Sequence, residues 1–337
     1  MVLVIGATGL LGSNLLVEIS KNQHNIKAVY HNPAKIQLVK KLFQILEPIN
    51  GEKLFRKIDW YECDILDIVS LSEVMKDVKI IYHCAALVSF RRRDFSTMMK
   101  INVQGTANIV NLALDLNIDK LCYVSSTAAI GKVKNGEKLY VIETNKWQKS
   151  PKTSGYSISK YTAEKEVWRG MEEGLNAVII NPSIIFGPGC WNESSLKIFK
   201  TIGNGLKFYT RGANAFVDVR DVVHSMITLT NSDISSERFL CTGTNIDFKN
   251  LFQLIAKRLG VKSPSIYANQ WMCEIAWRLS SFKALFYGKP TLTKESVQSS
   301  QALVEYNSSK LQKAIQLNFH KLEETIDYTV KNRIINC

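Results

Sequence analysis

The first twelve residues constrain this chain more than any other stretch. Val2-Leu3-Val4-Ile5 is an apolar, mostly β-branched run, Gly6, Gly9 and Gly12 follow at three-residue spacing, and Leu10-Leu11 opens an apolar helical pattern. Strand, glycine turn and helix in that order predict the first unit of an α/β fold that cradles a dinucleotide. Gly6 suits the tight turn out of the strand, Gly9 lets backbone N–H groups approach a pyrophosphate, and Gly12 lets the helix pack closely on the sheet. Thr8, Leu10 and Leu11 belong to the same cradle. The helix N-terminus adds partial positive charge where phosphates would sit. A glycine turn without a ligand is the alternative.

Strand and helix signals then alternate. Strands are expected at Val2–Ile5, Ile26–Tyr30, Ile58–Cys63, Lys79–His83, Leu121–Val124 and Ala177–Ile180, with helical patterns near Leu10–Ser20, Lys35–Leu46, Leu71–Met75, Thr97–Leu116 and Ser157–Glu172. Near-continuous apolar strands alternating with helices predict an α/β fold, a doubly wound parallel sheet covered by helices on both faces. With 337 residues the chain is long enough for two lobes. The dinucleotide domain is expected to comprise 1–187 plus about 215–244. A smaller, mainly helical substrate lobe takes about 188–214 plus 245–337.

The net charge of +13 is spread along the chain. With no nucleic-acid module to concentrate it, it reads as a lysine-rich solvated surface. No apolar run approaches the roughly 20 residues of a membrane span, so no stable membrane insertion is expected. The chain enters a strand at once, without the basic start of a secretory leader. Seven cysteines without C-x-x-C spacing read as reduced, buried thiols of a cytoplasmic protein. No metal site is expected.

Around the cradle, the second strand ends Tyr30-His31-Asn32. An NAD site usually carries Asp or Glu there for the ribose 2′-hydroxyl. None is present; His31, Asn32 and Lys35 suit a 2′-phosphate, which favours NADP over NAD. Asp64-Ile65 after the third strand offers a carboxylate for an adenine amino group beside an apolar contact. Cys84-Ala85-Ala86 after the fourth strand permits close approach of backbone to a ligand. Phe90-Arg91-Arg92-Arg93-Asp94 is either a solvated loop or an anion-recognising element at a substrate mouth.

The reacting groups are expected after the fifth strand. Val124-Ser125-Ser126-Thr127 is followed thirty residues after Ser126 by Tyr156, and Lys160 lies four residues further on. Tyr and Lys at that spacing share one helix face. A tyrosine titrating near pH 10 is a poor proton-transfer group until a nearby cation stabilises its anion. Tyr156 is therefore the acid/base, Lys160 its tuner, and Ser126 the group that orients a substrate oxygen.

With these residues the chain resembles, from end to end, an extended short-chain dehydrogenase/reductase of the NAD-dependent epimerase/dehydratase type. The matching pieces are Gly6–Gly12, Asp64-Ile65, Cys84-Ala85-Ala86, Asn102-Val103-Gln104-Gly105-Thr106, Val124-Ser125-Ser126, Tyr156–Lys160, Asn181-Pro182-Ser183, Phe186-Gly187-Pro188-Gly189 and Phe216–Val222. The resemblance implies a Rossmann domain, bound NAD(P), a Ser/Thr-Tyr-Lys triad, a small-molecule substrate and often a dimer through two helices. It implies Ser126 as the triad serine, five residues before Gly131, with Ser125 and Thr127 as alternatives. Pro182 and Ser183 match the segment against the nicotinamide. Asn102, heading a helix, is either structural or proton-relaying. Thr291–Glu295 and Tyr306–Leu311 are similar to the tails of dihydroflavonol-reductase-like and 3-beta-hydroxysteroid-dehydrogenase-like members. Before them, Trp271, Trp277, Phe282, Phe286 and Tyr287 form an aromatic-rich patch, read as core, as an apolar substrate wall or as an amphipathic surface helix.

Three functions remain open at this point. The first is an NADP-preferring oxidoreductase passing hydride between nicotinamide and a carbonyl or secondary alcohol of a largely apolar substrate. The second is a sugar-nucleotide epimerase with the same triad. The third is a dinucleotide sensor or scaffold without turnover. Asn214-Ala215, where sugar-nucleotide members commonly carry Arg-Asp, favours the first.

Overall fold

The computed structural model describes residues 1–337 apart from 24, 152, 288–291 and 336–337, and the side chains of 135, 194 and 281–287 also lie outside the description. Its centre is a seven-stranded sheet of Val2–Ile5, Ile26–Tyr30, Ile58–Glu62, Ile80–His83, Lys120–Val124, Ala177–Pro182 and Glu237–Cys241. Counted along the chain, the strands lie in the order 7-6-5-4-1-2-3. Every pairing is parallel. The winding reverses between strands one and four, which are in register from Val2↔Ile80 to Ile5↔His83. An open sheet of this kind leaves its ligand crevice at the carboxyl ends of those two strands.

The first strand shows why the run is apolar throughout. Val2 and Val4 pack with Leu15, Leu16, Phe43 and Met226 on one face, while Leu3 and Ile5 pack with Ile109, Val167 and Met171 on the other. Successive side chains point to opposite faces, so a strand buried on both has no polar positions. Each such side chain contributes about 1.5–3 kcal/mol by leaving water.

A third core joins Phe186, Phe199 and Phe216 to Leu251, Ile255, Leu322 and Ile326. It backs a small sheet in which Ala213–Asp218 pairs in parallel with Ile184–Phe186 and antiparallel with Thr244–Asp247. Two further small sheets join Phe208–Tyr209 to Ile266–Tyr267, and Val133–Asn135 to Lys138–Val141 and Val304–Tyr306. The C-terminal third thus carries strands as well as helices.

Two local expectations are corrected. Asn102 does not head a helix; it lies inside a continuous helical run from Phe95 to Asp115, where Met99–Gln104 forms a π-helical stretch. Cys63, Cys84, Cys122, Cys241 and Cys273 are free thiols, but Cys190 is disulfide-bonded. Among the described residues no helix is long and apolar enough to cross a membrane.

Candidate active site

The glycine turn is built by contact. Gly6 has φ +85°, open to glycine at no steric cost, and a Cβ there would lie 2.5 Å from the Ala85 nitrogen. The Cys84 N–H donates to the Ile5 carbonyl at 2.8 Å. Small residues at 84–86 and the glycine at 6 therefore answer one another. Gly12 meets the Gly6 carbonyl, so the helix Leu10–Asn22 lies directly on the turn. Gly9 heads that helix with no side-chain cap and no acid in its first turn. It is exposed, and Gly6 O at 3.4 Å is the nearest protein atom to a Cβ placed on it. Thr8 and Leu10 are partly exposed beside it, while Leu11 is buried. An open helix N-terminus without a competing carboxylate fits a pyrophosphate. Ser183, 9% exposed, has a buried hydroxyl without a partner among the described residues, and it follows the buried Pro182. The donor set fits a bound dinucleotide.

The adenosine end is less simple than the sequence suggests. Asp64 is exposed and accepts from the Leu66 N–H at 3.0 Å. The Ile65 side chain is buried against Gly105 rather than open. His31 and Asn32 are exposed beyond the second strand, and Asn32 Oδ1 accepts from the Ala34 N–H at 3.0 Å. Lys35 is held by Glu193 at 2.8 Å.

The residues of the candidate triad lie beyond the fifth strand and on the helix that follows. Ser126 caps a short 3-10 turn, Thr127–Ala129, by accepting from the Ala128 N–H at 3.2 Å. Tyr156 and Lys160 lie on the helix Gly155–Glu172, whose N-cap Ser154 accepts from the Ser157 N–H. Ser157 donates to the Ala128 carbonyl at 2.6 Å and receives the Trp147 indole N–H at 3.1 Å. These bonds tie the helix that carries Tyr156 to the turn that carries Ser126. Burial raises the Tyr156 phenol above its ordinary range, and the neighbouring Ser126 hydroxyl works against that rise. The ring of Phe90 stands edge-on to Tyr156 at 6.0 Å.

Lys160 is 2% exposed. Its ammonium donates to the Val124 carbonyl at 2.8 Å and to the Tyr123 hydroxyl at 3.1 Å. Burial pulls it down to about 8, against the upward pull of Glu164 and Cys84. Glu164, one turn beyond Lys160, is the group sequence reasoning missed. Its carboxylate accepts from Ser125 at 2.6 Å, Asn181 at 2.7 Å, Trp168 at 3.3 Å and Arg238 at 2.9 Å. Asn181 also donates to the Ser126 carbonyl at 3.0 Å. The four-residue step Tyr156, Lys160, Glu164 was the available signal, since it puts all three on one face.

The loop after the fourth strand closes on itself. Arg91 pairs with Asp94 at 2.5 Å, and Asp94 receives Ser89 at 2.6 Å, leaving Arg92 and Arg93 exposed. Asn214 and Ala215 lie on the strand Ala213–Asp218, with Ala215 fully buried among Ile130, Val141 and Leu240. Arg211 is exposed over the Tyr267 ring at 4.4 Å. Trp271 is 80% exposed while Trp277 packs on the cluster of Ala268, Cys273 and Val297. The side chains of Phe282, Phe286 and Tyr287 lie outside the described residues.

A parallel sheet with its crevice at the switch point, a glycine cradle and a Ser-Tyr-Lys group beside it define a dinucleotide-dependent oxidoreductase of the short-chain type. The chain belongs to the NAD dependent epimerase/dehydratase family, whose model matches residues 2–240. It is 27% identical to cinnamoyl-CoA reductase 1 of Petunia hybrida over 271 residues, which cover 76% of this chain and 77% of the relative. It is 26% identical to a putative dihydroflavonol 4-reductase of Synechocystis over 323 residues, covering 91% and 87%. Among solved structures, gox2253 superposes with a TM-score of 0.78 at 26% identity, covering 98% of this chain and 97% of the other. The UDP-glucose 4-epimerase of Thermotoga maritima shares the fold, with a TM-score of 0.74 at 19% identity over 98% and 97% of the chains. As an extended short-chain member, the protein is an NAD(P)-dependent oxidoreductase acting between CH–OH and C=O.

Proposed function

We propose that this protein reduces the carbonyl of a largely apolar small molecule, with NADP as the preferred cofactor. The observation that carries the reading is the Ser157–Ala128 bond, which fixes the helix of Tyr156 and Lys160 against the turn of Ser126 at the carboxyl end of the sheet, beside an open glycine cradle. When bound, the nicotinamide supplies the hydride. Gly6, Thr8, Gly9, Leu10, Leu11 and Gly12 hold the pyrophosphate, Asp64, Ile65, Cys84, Ala85 and Ala86 flank the adenosine half, and Pro182 with Ser183 flanks the nicotinamide. Tyr156, protonated at neutral pH, donates its proton to the substrate oxygen while Ser126 orients that oxygen. Lys160 keeps a positive charge behind Tyr156 and eases loss of the proton. The division of labour follows 1–187 plus about 215–244 for the dinucleotide and 188–214 plus 245–337 for the substrate.

NADP is favoured because no carboxylate terminates the second strand. Lys35, partly exposed, is free to exchange Glu193 for a 2′-phosphate. The reductase reading is favoured over the epimerase because position 215 is fully buried and leaves no room for a charged side chain, and because Arg91 is already paired. Calorimetry with UDP-glucose tests this. No binding is expected; tight binding abolished by Arg211→Ala would promote the epimerase.

A further inference from the structure

Asn181 is the one polar side chain on the strand Ala177–Pro182, which is buried along its whole length, and it is 0% exposed. It bridges the two elements that carry the candidate triad. Its amide nitrogen lies 3.0 Å from the Ser126 carbonyl and 2.7 Å from the carboxylate of Glu164, on the helix of Tyr156 and Lys160. A carbonyl and a carboxylate are both acceptors, so the NH2 end must face them, and each of its two protons is committed. The Oδ1 atom is left buried without a partner among the described residues.

Neither partner depends on this link to be satisfied. The Ser126 carbonyl also accepts from the Ala129 N–H at 2.9 Å. Glu164 also accepts from Ser125 at 2.6 Å, Arg238 at 2.9 Å and Trp168 at 3.3 Å. A leucine of similar size would fill the strand position without burying an orphan oxygen, which is itself destabilising. Stability therefore does not account for Asn181, and geometry does. Ser125 is held by the sheet, its N–H donating to the Ile180 carbonyl at 2.8 Å. Ser126 is the first residue beyond that bond, where the chain turns into Thr127–Ala129. Its hydroxyl accepts from the Ala128 N–H at 3.2 Å and keeps its own proton to give to a substrate oxygen. We propose that Asn181 is a positioning residue that couples the Ser126 backbone, through Glu164, to the helix of Tyr156, so that serine and tyrosine face one substrate oxygen. This rests on the role given to Ser126 above.

Asn181→Leu removes the link and the orphan oxygen together, and Asn181→Ala serves if the leucine fails to pack. The first readout needs neither cofactor nor substrate. The Ala128 and Ala129 N–H groups bond to Ser126, so their hydrogen exchange reports on the turn. In the variant it should speed up by about tenfold or more, with exchange across Val2–Ile5 unchanged. The second readout is steady-state reduction of benzaldehyde, cinnamaldehyde and acetophenone with NADPH. On whichever is turned over, kcat should fall about tenfold or more, while KM and NADPH affinity stay within about twofold. Because Asn181 acts through Ser126, combining the variant with Ser126→Ala should lower kcat no further than Ser126→Ala alone. Unchanged exchange at the turn, an unchanged kcat, or losses that multiply with those of Ser126→Ala each overturn the proposal alone. Wild-type turnover in Ser126→Ala overturns the role of Ser126, and the proposal with it. If no carbonyl is reduced, the reductase reading falls, and exchange at Ala128 and Ala129 still decides whether Asn181 holds the turn.

Discussion

The Ser157 hydroxyl donates to the Ala128 carbonyl at 2.6 Å, pinning the helix that carries Tyr156 to the turn that carries Ser126. Neighbouring residues on two elements are thereby locked in one geometry. Ser157→Ala removes this bond and leaves the Trp147 indole N–H without its acceptor. We expect kcat to fall about tenfold or more, since small misplacements of reacting groups are costly, while KM changes little. Steady-state kinetics on a carbonyl substrate checks this; an unchanged kcat would mean the turn holds Ser126 without help.

Glu164 is the second support. It is 1% exposed, and Arg238 is its ion-pair partner at 2.9 Å. Glu164→Gln removes the charge at nearly constant volume and leaves Arg238 short of a counter-charge. Breaking a buried pair from one side costs about 3 kcal/mol or more. Thermal unfolding should show a clear loss of stability. A melting temperature equal to that of the wild type would show that the amide replaces the carboxylate.

Much of this was legible in the sequence, and the reasons differ by element. The six expected strands all form; the central ones are buried on both faces and so nearly apolar, while Ile58–Glu62 is a largely exposed edge strand. The glycine cradle was legible because Gly6 and Gly12 each answer a close contact from another backbone, while Gly9 stays open at the helix start. The strand Glu237–Cys241 lay at the end of the readable alternation. The two- and three-residue strands at 208–209, 266–267, 304–306 and 184–186 are too short to carry a period. The π-helical stretch around Asn102 has no compositional mark. Tyr123 and Glu164 escaped notice for one reason: a strand residue that reads as apolar and a helix residue that reads as solvated are both buried and polar-bonded here.

The proposed cofactor preference is tested at the end of the second strand. NADPH should bind more tightly than NADH, and Lys35→Ala should weaken NADPH selectively. His31→Asp should turn the preference toward NADH by repelling the 2′-phosphate. Equilibrium titration of both cofactors measures this, and a clear NADH preference in the wild type would assign Lys35 to its Glu193 partner alone.

The buried lysine also shapes stability against pH. Lys160 is lowered to about 8 in the folded protein from an ordinary value of 10.5. Below the folded value both states are protonated there, and the cost of burying the charge is fully present. Between about 8 and 10.5 the unfolded chain binds the extra proton, so this site makes stability rise with pH across that window. Lys160→Met removes the site. The stability difference between the variant and the wild type should therefore shift in favour of the wild type as pH rises through the window. Denaturant unfolding at neutral and alkaline pH reads this directly, and a difference independent of pH would contradict it.

In the proposed reaction Tyr156 gives its proton to the oxygen of an apolar carbonyl substrate during reduction. Its most direct test follows consumption of NADPH by purified protein over a panel of apolar and aromatic ketones and aldehydes, with Tyr156→Phe alongside. Turnover by the wild type on at least one of them is expected, with a loss of roughly a hundredfold or more in Tyr156→Phe and cofactor affinity retained. Wild-type rates in Tyr156→Phe, or no carbonyl reduced while UDP-sugars are epimerised, would contradict it.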